Sequence, residues 1–416
     1  MPRLLPALAL LLTAAAVHAA DPPKDFFFQT NDRIVFLGDS ITEQYQYSSY
    51  LELYLTTRFP KANFTFINAG IGGDTANGGA ARFARHVLAE KPTAVTINFG
   101  MNDAGYGEFK SDLNQRYVER TAQMLDAAKK AGVRVALLSP NAVDRRVKTN
   151  GKLYVETQKK FYEPLKGLAD KYGTAFVDQY AITRAATDKM ERDDPKAETA
   201  KPYYDGFHTS SPGGLLMAHA ILTGLKAPAA VSTAAVDATA NTAKTDGCRL
   251  DDLTASPAGV SFTRTDEALP LPVQKDWLPM LPYTNGLKDL NLYGLTVTGL
   301  KDGDYAVTID GTEVGKYTAK QLADGVNLGN ATRGPVFDQA DQVRQAIDAK
   351  NKLVHQRFRG VVMYALPTWL AELGQEVEAR KEKELAKQMK AIDAAQAKIY
   401  ELAQPKPRKF EVKPAK

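Results

Sequence analysis

The stretch that decides the fold is IVFLGDSIT, at residues 34–42. It begins as an apolar run rich in β-branched residues and ends in Gly-Asp-Ser, which is typical of a buried strand followed by a tight turn. In open α/β sheets, ligands bind in the crevice outside the carboxyl ends of the strands. The pattern therefore places Ser40 at a position where chemistry would be carried out.

Strand-like and helix-like runs alternate from Arg33 to Leu225. The predicted strands are Arg33–Gly38, Phe64–Asn68, Thr93–Phe99, Val133–Ser139 and Thr174–Asp178. The clearest helices are predicted at Asn77–Glu90, Asp112–Ala131 and Lys152–Tyr172. This alternation predicts an α/β fold in which a parallel sheet is covered by helices on both faces.

Later strands are followed by polar groups that complement Ser40. Gly73 lies in NAGIGGDT, Asn102 lies in FGMNDA, and both Asp205 and His208 lie in YYDGFHTSS. In chain order these residues offer a nucleophile, two oxyanion donors, an orienting carboxylate and a base. Because the carboxyl ends of parallel strands share one edge of a sheet, we expect these groups to lie close together.

The motifs GDSIT, GGDT, GMND and Asp-x-x-His resemble, in this order, the four signature blocks of the SGNH hydrolases, also known as GDSL esterases and lipases. The resemblance covers residues 32–225, about half of the chain. It implies a flavodoxin-like three-layer α/β/α sandwich. It also implies serine-dependent hydrolysis of esters through an acyl-enzyme, with no cofactor and no metal ion.

The resemblance assigns a role to each motif residue. Ser40 would be the nucleophile, and Asp205 and His208 would complete a catalytic triad. The backbone amides of Ser40 and Gly73, together with the side chain of Asn102, would form the oxyanion hole.

The chemistry of these residue types agrees with those roles. A serine hydroxyl is too weakly acidic to lose its proton unaided, and a histidine with a pKa near about 6.5 can accept that proton at neutral pH. Asp205, three residues before His208, can hold the imidazole in the required tautomer. Gly73 lets its amide approach a substrate closely, and Asn102 supplies a side-chain NH₂ donor.

Four residues beside the motifs are candidates for binding substrate: Asp39, Tyr106, Tyr204 and Phe207. Aromatic faces around a polar site suit stacking on sugar rings, although packing in the core or at the rim also accounts for such residues. We expect an exported serine esterase that removes acyl groups, with acetyl as the expected group, from a carbohydrate. The alternatives are a lipase, thioesterase or arylesterase acting on small hydrophobic esters, and a non-catalytic surface binding module.

Other classes of protein fit the sequence less well. The G-x-S-x-G elbow of α/β-hydrolases is absent. Metal-dependent phosphoesterases recruit several histidines, and of the five in this chain only His208 lies in a motif. The net charge is +5 and no stripe of Lys and Arg precedes the C-terminal tail, so nucleic acid is not an expected partner.

The N-terminus predicts a secretory signal peptide at residues 1–19. Arg3 precedes an apolar run from Leu4 to Val17, and small residues follow at the cleavage positions. The mature protein would then be secreted or periplasmic, with no membrane span. It would carry a single cysteine, Cys248, and therefore no intramolecular disulfide.

The predicted organisation beyond the signal peptide has five parts: a hydrolase domain at 27–226, a linker or crossover at 227–249, an accessory region with β-hairpins at 250–370, a charged helix at 371–404, and a disordered basic tail at 405–416. The hairpin signals are Asp302-Gly303 and Asp310-Gly311, which separate alternating apolar runs. Two short hairpins bury too little to be stable alone. We therefore expect residues 250–359, with Trp277 among them, to pack against the hydrolase domain.

Overall fold

The computed structural model describes residues 21–147 and 152–415. The predicted signal peptide at residues 1–19 lies outside the described residues. Among the residues described, no helix is both long enough and apolar enough to cross a membrane.

The described residues of the first half form five strands: β1 (Arg33–Gly38), β2 (Thr65–Gly70), β3 (Ala94–Asn98), β4 (Arg134–Leu138) and β5 (Ala175–Val177). They form one parallel sheet in the order β2-β1-β3-β4-β5. Strand β3 is buried along its whole length, as expected for a central parallel strand covered on both faces. The strand order is flavodoxin-like, and the predicted α/β sandwich is confirmed.

Helices cover this sheet: α1 (Ser40–Glu43), α2 (Gln46–Arg58), α3 (Ala76–His86), α4 (Ser111–Lys130), α5 (Lys152–Tyr162), α6 (Pro164–Tyr172), α7 (Gln179–Asp193) and α8 (Ser211–Gly224), with a 3₁₀ turn at Leu88–Glu90. The single helix predicted at Lys152–Tyr172 is in fact two helices. Pro164 starts the second one, at a position where its missing N–H is not needed. Gly173, with φ of +64°, ends it in the left-handed conformation that glycine adopts readily.

The turn from β1 into α1 depends on Gly38. A Cβ at this position would lie 2.1 Å from Oγ1 of Thr42 and 2.6 Å from the carbonyl oxygen of Asn98. Only glycine lets the chain fold back so sharply between α1 and the neighbouring strand. As a result Ser40, the first residue of α1, lies at the carboxyl edge of the sheet.

In the second half, the residues up to 415 form nine strands: β6 (Ala230–Asp237), β7 (Thr242–Asp246), β8 (Cys248–Ser256), β9 (Gly259–Asp266), β10 (Leu292–Thr298), β11 (Asp304–Ile309), β12 (Thr312–Thr318), β13 (Val326–Asn327) and β14 (Arg408–Pro414). One sheet has the order β13-β10-β6-β7, in which β6 and β10 run parallel. The other, β12-β11-β14-β9-β8, is antiparallel. The two sheets share a core to which both contribute, including Val236, Leu295, Phe262, Val307 and Phe410.

Three α-helices complete the part of the second half that the structure describes: α9 (Ala319–Asp324), α10 (Pro335–Arg357) and α11 (Gly374–Ala403). Shorter 3₁₀ segments lie at Lys275–Tyr283, Asn285–Leu287, Leu328–Asn330 and Thr368–Leu373, and a π-helical turn follows α10 at Phe358–Val362. Helix α11 lies within the predicted charged helix at 371–404 and covers most of it.

Two of the segments predicted to be irregular are strands. The predicted linker at 227–249 contains β6 and β7, and Val231, Ala234 and Val236 of β6 are buried. The predicted disordered tail at 405–416 contains β14, which pairs with both β9 and β11. Its apolar residues, Phe410 and Val412, are buried and alternate with charged ones. This period of two is the signal of a strand, and the prediction gave more weight to the charges and prolines.

One of the two predicted hairpins is also wrong. Asp310-Gly311 joins β11 to β12 in an antiparallel hairpin, as expected. Asp302-Gly303 instead lies between β10 and β11, which belong to different sheets. An Asp-Gly pair specifies a turn, but it does not specify that the strands on either side pair with each other.

The second half packs against the first. Trp277 is completely buried, its Nε1 donates a hydrogen bond to Oγ of Ser211 at 3.0 Å, and its ring meets that of Tyr50 edge-on at 4.7 Å. Ile347 and Val354 of α10 belong to the same apolar core as the parallel sheet. The expected packing of residues 250–359 on the hydrolase part of the chain is therefore confirmed.

Cys248 lies at the start of β8 and is buried. Burial raises the pKa of its thiol to about 11. A thiol with this pKa stays protonated at neutral pH, so Cys248 is a packing residue with little reactivity.

Candidate active site

Ser40 occupies the first position of α1 because Asp39 caps this helix. The side chain of Asp39 accepts a hydrogen bond from the backbone N–H of Ile41 at 2.9 Å. The first N–H groups of a helix have no acceptor within the helix, so the amide of Ser40 is available by position to a ligand. The sequence Gly-Asp-Ser thus combines a sharp turn, a helix cap and a hydroxyl at the sheet edge.

Three of the predicted site residues form one continuous chain of hydrogen bonds. Oγ of Ser40 lies 2.7 Å from Nε2 of His208, and Nδ1 of His208 lies 2.6 Å from Oδ2 of Asp205. The serine and the histidine are 168 residues apart in the sequence. The arrangement is that of a nucleophile, a base and a carboxylate that orients the base.

Asp205 also shapes the loop that carries His208. Its Oδ1 accepts hydrogen bonds from the backbone N–H groups of His208 at 2.8 Å and Phe207 at 3.2 Å. Burial alone would raise the pKa of Asp205, but the hydrogen bonds from His208 and Phe207 outweigh it and hold the pKa below its usual value. Asp205 is therefore ionised throughout the neutral range.

Gly73 lies in a tight turn between β2 and α3. The N–H of Asp74 donates to the carbonyl of Ile71 at 3.1 Å, and Gly73, at the third position of this turn, has φ of +74°. A turn of this kind requires a positive φ at that position, which explains the glycine. A Cβ on Gly73 would meet no atom within 4 Å, so the space beside it is open.

The turn that carries Gly73 is held by Glu43, which was not among the predicted site residues. Glu43, at the end of α1, accepts a hydrogen bond from the backbone N–H of Gly72 and pairs with Nε of Arg359 at 3.1 Å. Arg359 belongs to the π-helical turn after α10. The second half of the chain thus reaches the loop that carries Gly73.

Asn102 follows β3 and faces the same edge. Its Nδ2 donates to the carbonyl of Asp74 at 2.9 Å and lies 3.5 Å from Oδ2 of Asp39. Its Oδ1 accepts a hydrogen bond from the hydroxyl of Tyr106 at 2.7 Å. The second contact of Nδ2 is long for a hydrogen bond, so one of its two hydrogens is weakly engaged.

Two carboxyl groups beside the site, those of the buried Asp39 and the half-buried Asp103, have raised pKa values. Asp39 is 3% exposed, and burial, reinforced by the nearby Asp103 and Asp74, raises its pKa to about 7. Burial likewise raises the pKa of Asp103 to about 7, although backbone N–H groups of Ala76 and Gly100 bind this carboxyl group. We predicted Asp39 to contact substrate, but its carboxyl group is buried and caps α1.

The three aromatic candidates have different positions. Tyr204 is 62% exposed and its ring stacks on that of His208 with a centroid distance of 5.8 Å. Phe207 lies 4.5 Å from the same imidazole, between it and Tyr106. Tyr106 is half-buried and orients Asn102, so Tyr204 and Phe207 are the rings at the rim of the site.

Gln44 links α1 to the loop that carries His208, a role that was not predicted from the sequence. Its Nε2 donates to the hydroxyl of Tyr204 at 2.9 Å, and its Oε1 accepts from the backbone N–H of Thr209 at 3.2 Å.

Within the described parts of the chain, no group of three or more His, Cys, Asp or Glu side chains is arranged to hold a metal ion.

Comparison with known proteins agrees with this geometry. Residues 36–213 match the GDSL-like Lipase/Acylhydrolase family. The chain is 29% identical over 170 residues to the uncharacterized lipoprotein YqeF of Bacillus subtilis (strain 168), which covers 38% of this chain and 67% of that protein. It is 24% identical over 214 residues to an acetylxylan esterase of Geobacillus stearothermophilus, covering 46% of this chain and 93% of that enzyme.

A solved structure is similar over nearly the whole chain. BT4096, described as a gut microbial diltiazem-metabolizing enzyme, aligns with a TM-score of 0.80 at 26% identity and covers 96% of this chain and 100% of its own. The sheets and helices of the second half therefore belong to an architecture found in another enzyme. On these grounds the chain contains, over residues 36–213, a domain of the GDSL-like lipase/acylhydrolase family, and it is a serine hydrolase that acts on ester bonds.

Proposed function

We propose that Ser40, His208 and Asp205 are the catalytic triad of this esterase. The observation that carries the proposal is the unbroken chain of hydrogen bonds from Oγ of Ser40 through His208 to Asp205. In the reaction, Nε2 of His208 takes the proton of the Ser40 hydroxyl as Oγ attacks the ester carbonyl. The C–O bond to the alcohol then breaks, and His208 returns the proton to the departing alcohol oxygen. Water, activated by the same imidazole, hydrolyses the acyl-enzyme to the free acid.

The oxyanion that forms during each attack needs donors already in place. The proposed donors are the amide of Ser40, the amide of Gly73 and Nδ2 of Asn102. Their support is positional: the first lies at a helix start, the second lies beside open space, and the third has one weakly engaged hydrogen. Glu43 holds the turn that carries Gly73 by accepting from the N–H of Gly72, and Tyr106 holds the side chain of Asn102.

The proposed substrate is an acetylated carbohydrate. The sequence relative from Geobacillus stearothermophilus is an acetylxylan esterase, and the alignment spans most of that enzyme. The exposed ring of Tyr204 beside His208 offers a face on which a sugar can stack. Residues 27–226 would be the catalytic domain, and the accessory region at 250–370 would complete its surroundings.

A second candidate substrate is a small hydrophobic ester. The specific observation in its favour is the likeness, over nearly the whole chain, to the diltiazem-metabolizing enzyme BT4096. Such a substrate would fall within the small-ester alternative expected from the sequence.

One experiment compares the two candidates. The purified protein and its Ser40→Ala variant are assayed on acetylated xylan, acetylated xylo-oligosaccharides, diltiazem and para-nitrophenyl acetate. Release of acetate from the saccharides with the highest kcat/KM, lost in Ser40→Ala, supports the first candidate. A clear preference for diltiazem supports the second. Ester hydrolysis that persists in Ser40→Ala overturns the assignment of the nucleophile.

Export belongs to the same proposal, because the N-terminal sequence has the pattern of a cleavable signal peptide. In a host that exports the protein, the expected product begins at Ala20 or Asp21, and its intact mass can be measured directly. A full-length protein retained in the cytoplasm would contradict export.

A further inference from the structure

A cavity of about 730 Å³ lies between the first half of the chain and α10. One wall is formed by residues of the segment 43–50, which runs from the last residue of α1 into α2, together with Ser211 at the start of α8. The other wall is formed by α10. The volume is within the range of about 300–1,000 Å³ that is usual for ligand sites.

The cavity adjoins the proposed catalytic residues through the chain itself. Glu43 and Gln44 come three and four residues after Ser40, about one helical turn away, and Ser211 comes three residues after His208. Gln44 also connects the cavity to the proposed catalytic residues. It lines the cavity, and its side chain binds the hydroxyl of Tyr204, whose ring stacks on that of His208. A ligand with its ester at Ser40 could therefore extend into the cavity.

The wall made by α10 is a continuous polar stripe. Its members recur at helical spacing and comprise Arg344, Asp348, Asn351, Lys352, His355 and Gln356. The neighbouring stripe of the same helix, which contains Val343, Ile347 and Val354, is buried in the core. Helix α10 thus uses one face for packing and presents a second, polar face to the cavity.

The lining of the cavity has a chemistry that distinguishes between ligands. Among the described residues that form it, none has an aliphatic side chain, so an acyl chain of a lipid would find no apolar surface of that kind. Two acidic side chains, Glu43 and Asp348, are matched by two basic ones, Arg344 and Lys352, so no net charge favours an ionic ligand. The other groups that line the cavity are amides and hydroxyls, which lie beside the rings of Tyr45 and Tyr50.

Several of these polar groups are available to a ligand. In the described part of the chain, the side chains of Gln46, Lys352 and Gln356 form no hydrogen bond with another protein group. His355 contacts the ring of Tyr45 edge-on at 5.9 Å and adds a further aromatic face. Donors and acceptors set among aromatic faces are suited to the hydroxyls and the ring faces of a sugar.

We propose that this cavity between residues 43–50 and α10 binds the sugar portion of the ester, while the acyl group is held at Ser40. The inference rests on the proposed carbohydrate substrate and extends it. Helix α10 lies outside the region matched by the family, so the sugar site is built partly from the second half of the chain. Specificity for the alcohol then depends on residues about 300 positions after the nucleophile.

The test uses two substitutions of the same kind on α10. Gln356→Trp places a bulky ring in the cavity, and Gln342→Trp places the same ring on an exposed part of α10 that does not line it. The substrates are acetylated xylotriose, whose sugar part would enter the cavity, and para-nitrophenyl acetate, whose alcohol is much smaller. The quantity compared is the ratio of kcat/KM for the saccharide to kcat/KM for the small ester.

We expect this ratio to fall at least tenfold in Gln356→Trp, mainly through a higher KM for the saccharide, and to stay at the wild-type value in Gln342→Trp. Isothermal titration of acetylated xylotriose into the Ser40→Ala protein, with and without Gln356→Trp, should show a matching loss of affinity. An unchanged ratio and an unchanged affinity would overturn the sugar site. Failure of the proposed function would give a different result. The wild-type protein would then cleave para-nitrophenyl acetate and no acetylated saccharide, and this would overturn both the carbohydrate substrate and the sugar site.

Discussion

Lys350 of α10 donates a hydrogen bond to the carboxylate of Glu52 on α2, and both side chains are almost completely excluded from solvent. Nδ2 of Asn351 binds the other carboxylate oxygen of Glu52 at 3.2 Å. This buried ion pair connects the second half of the chain to the helix that follows the nucleophile. It fixes α10 in the position from which it forms a wall of the cavity.

Lys350→Met should destabilise the protein strongly, because it leaves the carboxylate of Glu52 buried without its cation. The expected loss in the free energy of unfolding is about 3–5 kcal/mol, measured by urea denaturation. The double variant Glu52→Leu/Lys350→Met removes both charges and should recover a large part of this loss. Lys320→Met, at an exposed pair with Asp324, serves as the control and should change stability by less than about 1 kcal/mol. Wild-type stability of Lys350→Met would contradict the structural role of the pair.

The sheet edge could be predicted from the sequence because its signals are local. An apolar run that ends in Gly-Asp-Ser specifies a strand, a sharp turn and a helix cap within nine residues, and the parallel fold then brings Gly73 and Asn102 to the same edge. His208 follows no strand of this sheet, because it lies on the loop between α7 and α8, so its contact with Ser40 was expected from the motif order rather than from the strand order.

The second half could not be predicted to the same extent because its partners are distant in the sequence. Strand β14 pairs with β9, almost 150 residues earlier, and no local pattern in the tail indicates which strand it pairs with. The alternation of Phe410 and Val412 with charged residues was the one available signal. Likewise, no feature near Tyr45 indicates that His355 will lie against it.

Ser40→Ala and His208→Ala should each lower kcat on para-nitrophenyl acetate by roughly four orders of magnitude or more, because the two residues act as a unit. The double variant should then be no worse than either single variant. Thermal unfolding checks that the fold is kept, and Ser111→Ala, an exposed helix position, is the matched serine control. Additive losses in the double variant would show that the two residues act independently.

Asn102→Ala should lower kcat by about 100- to 1,000-fold with little change in KM, because the donor serves the transition state. Tyr106→Phe removes the hydroxyl that holds Oδ1 of Asn102 and should cause a smaller loss of the same type. Steady-state kinetics on one ester separate the two parameters. A raised KM with an unchanged kcat would identify Asn102 as a ground-state binding residue instead.

Asp205→Asn should lower kcat by about four orders of magnitude while the loop keeps its shape. The new Oδ1 can still accept from the N–H groups of Phe207 and His208, but the new NH₂ would face Nδ1 of His208 and favour the wrong tautomer. In the wild type, the hydrogen bonds that keep the pKa of Asp205 low leave it ionised, so that it can orient the imidazole throughout the neutral range. An Asp205→Asn protein that keeps the wild-type kcat would contradict this role.

The carboxyl groups of the buried Asp39 and the half-buried Asp103 should make stability fall as the pH rises. Burial raises the pKa of each from 3.8 to about 7, so between these values the folded protein holds protons that the unfolded chain has already released. The free energy of unfolding must then decrease as the pH climbs through this window, and the decrease should end above about pH 7, where both states have lost these protons. Asp39→Asn removes one of the two titrations and should make the decrease shallower. Urea denaturation of both proteins at pH 5, 6, 7 and 8 measures the two slopes, and equal slopes would show that Asp39 is already ionised in the folded protein below pH 5.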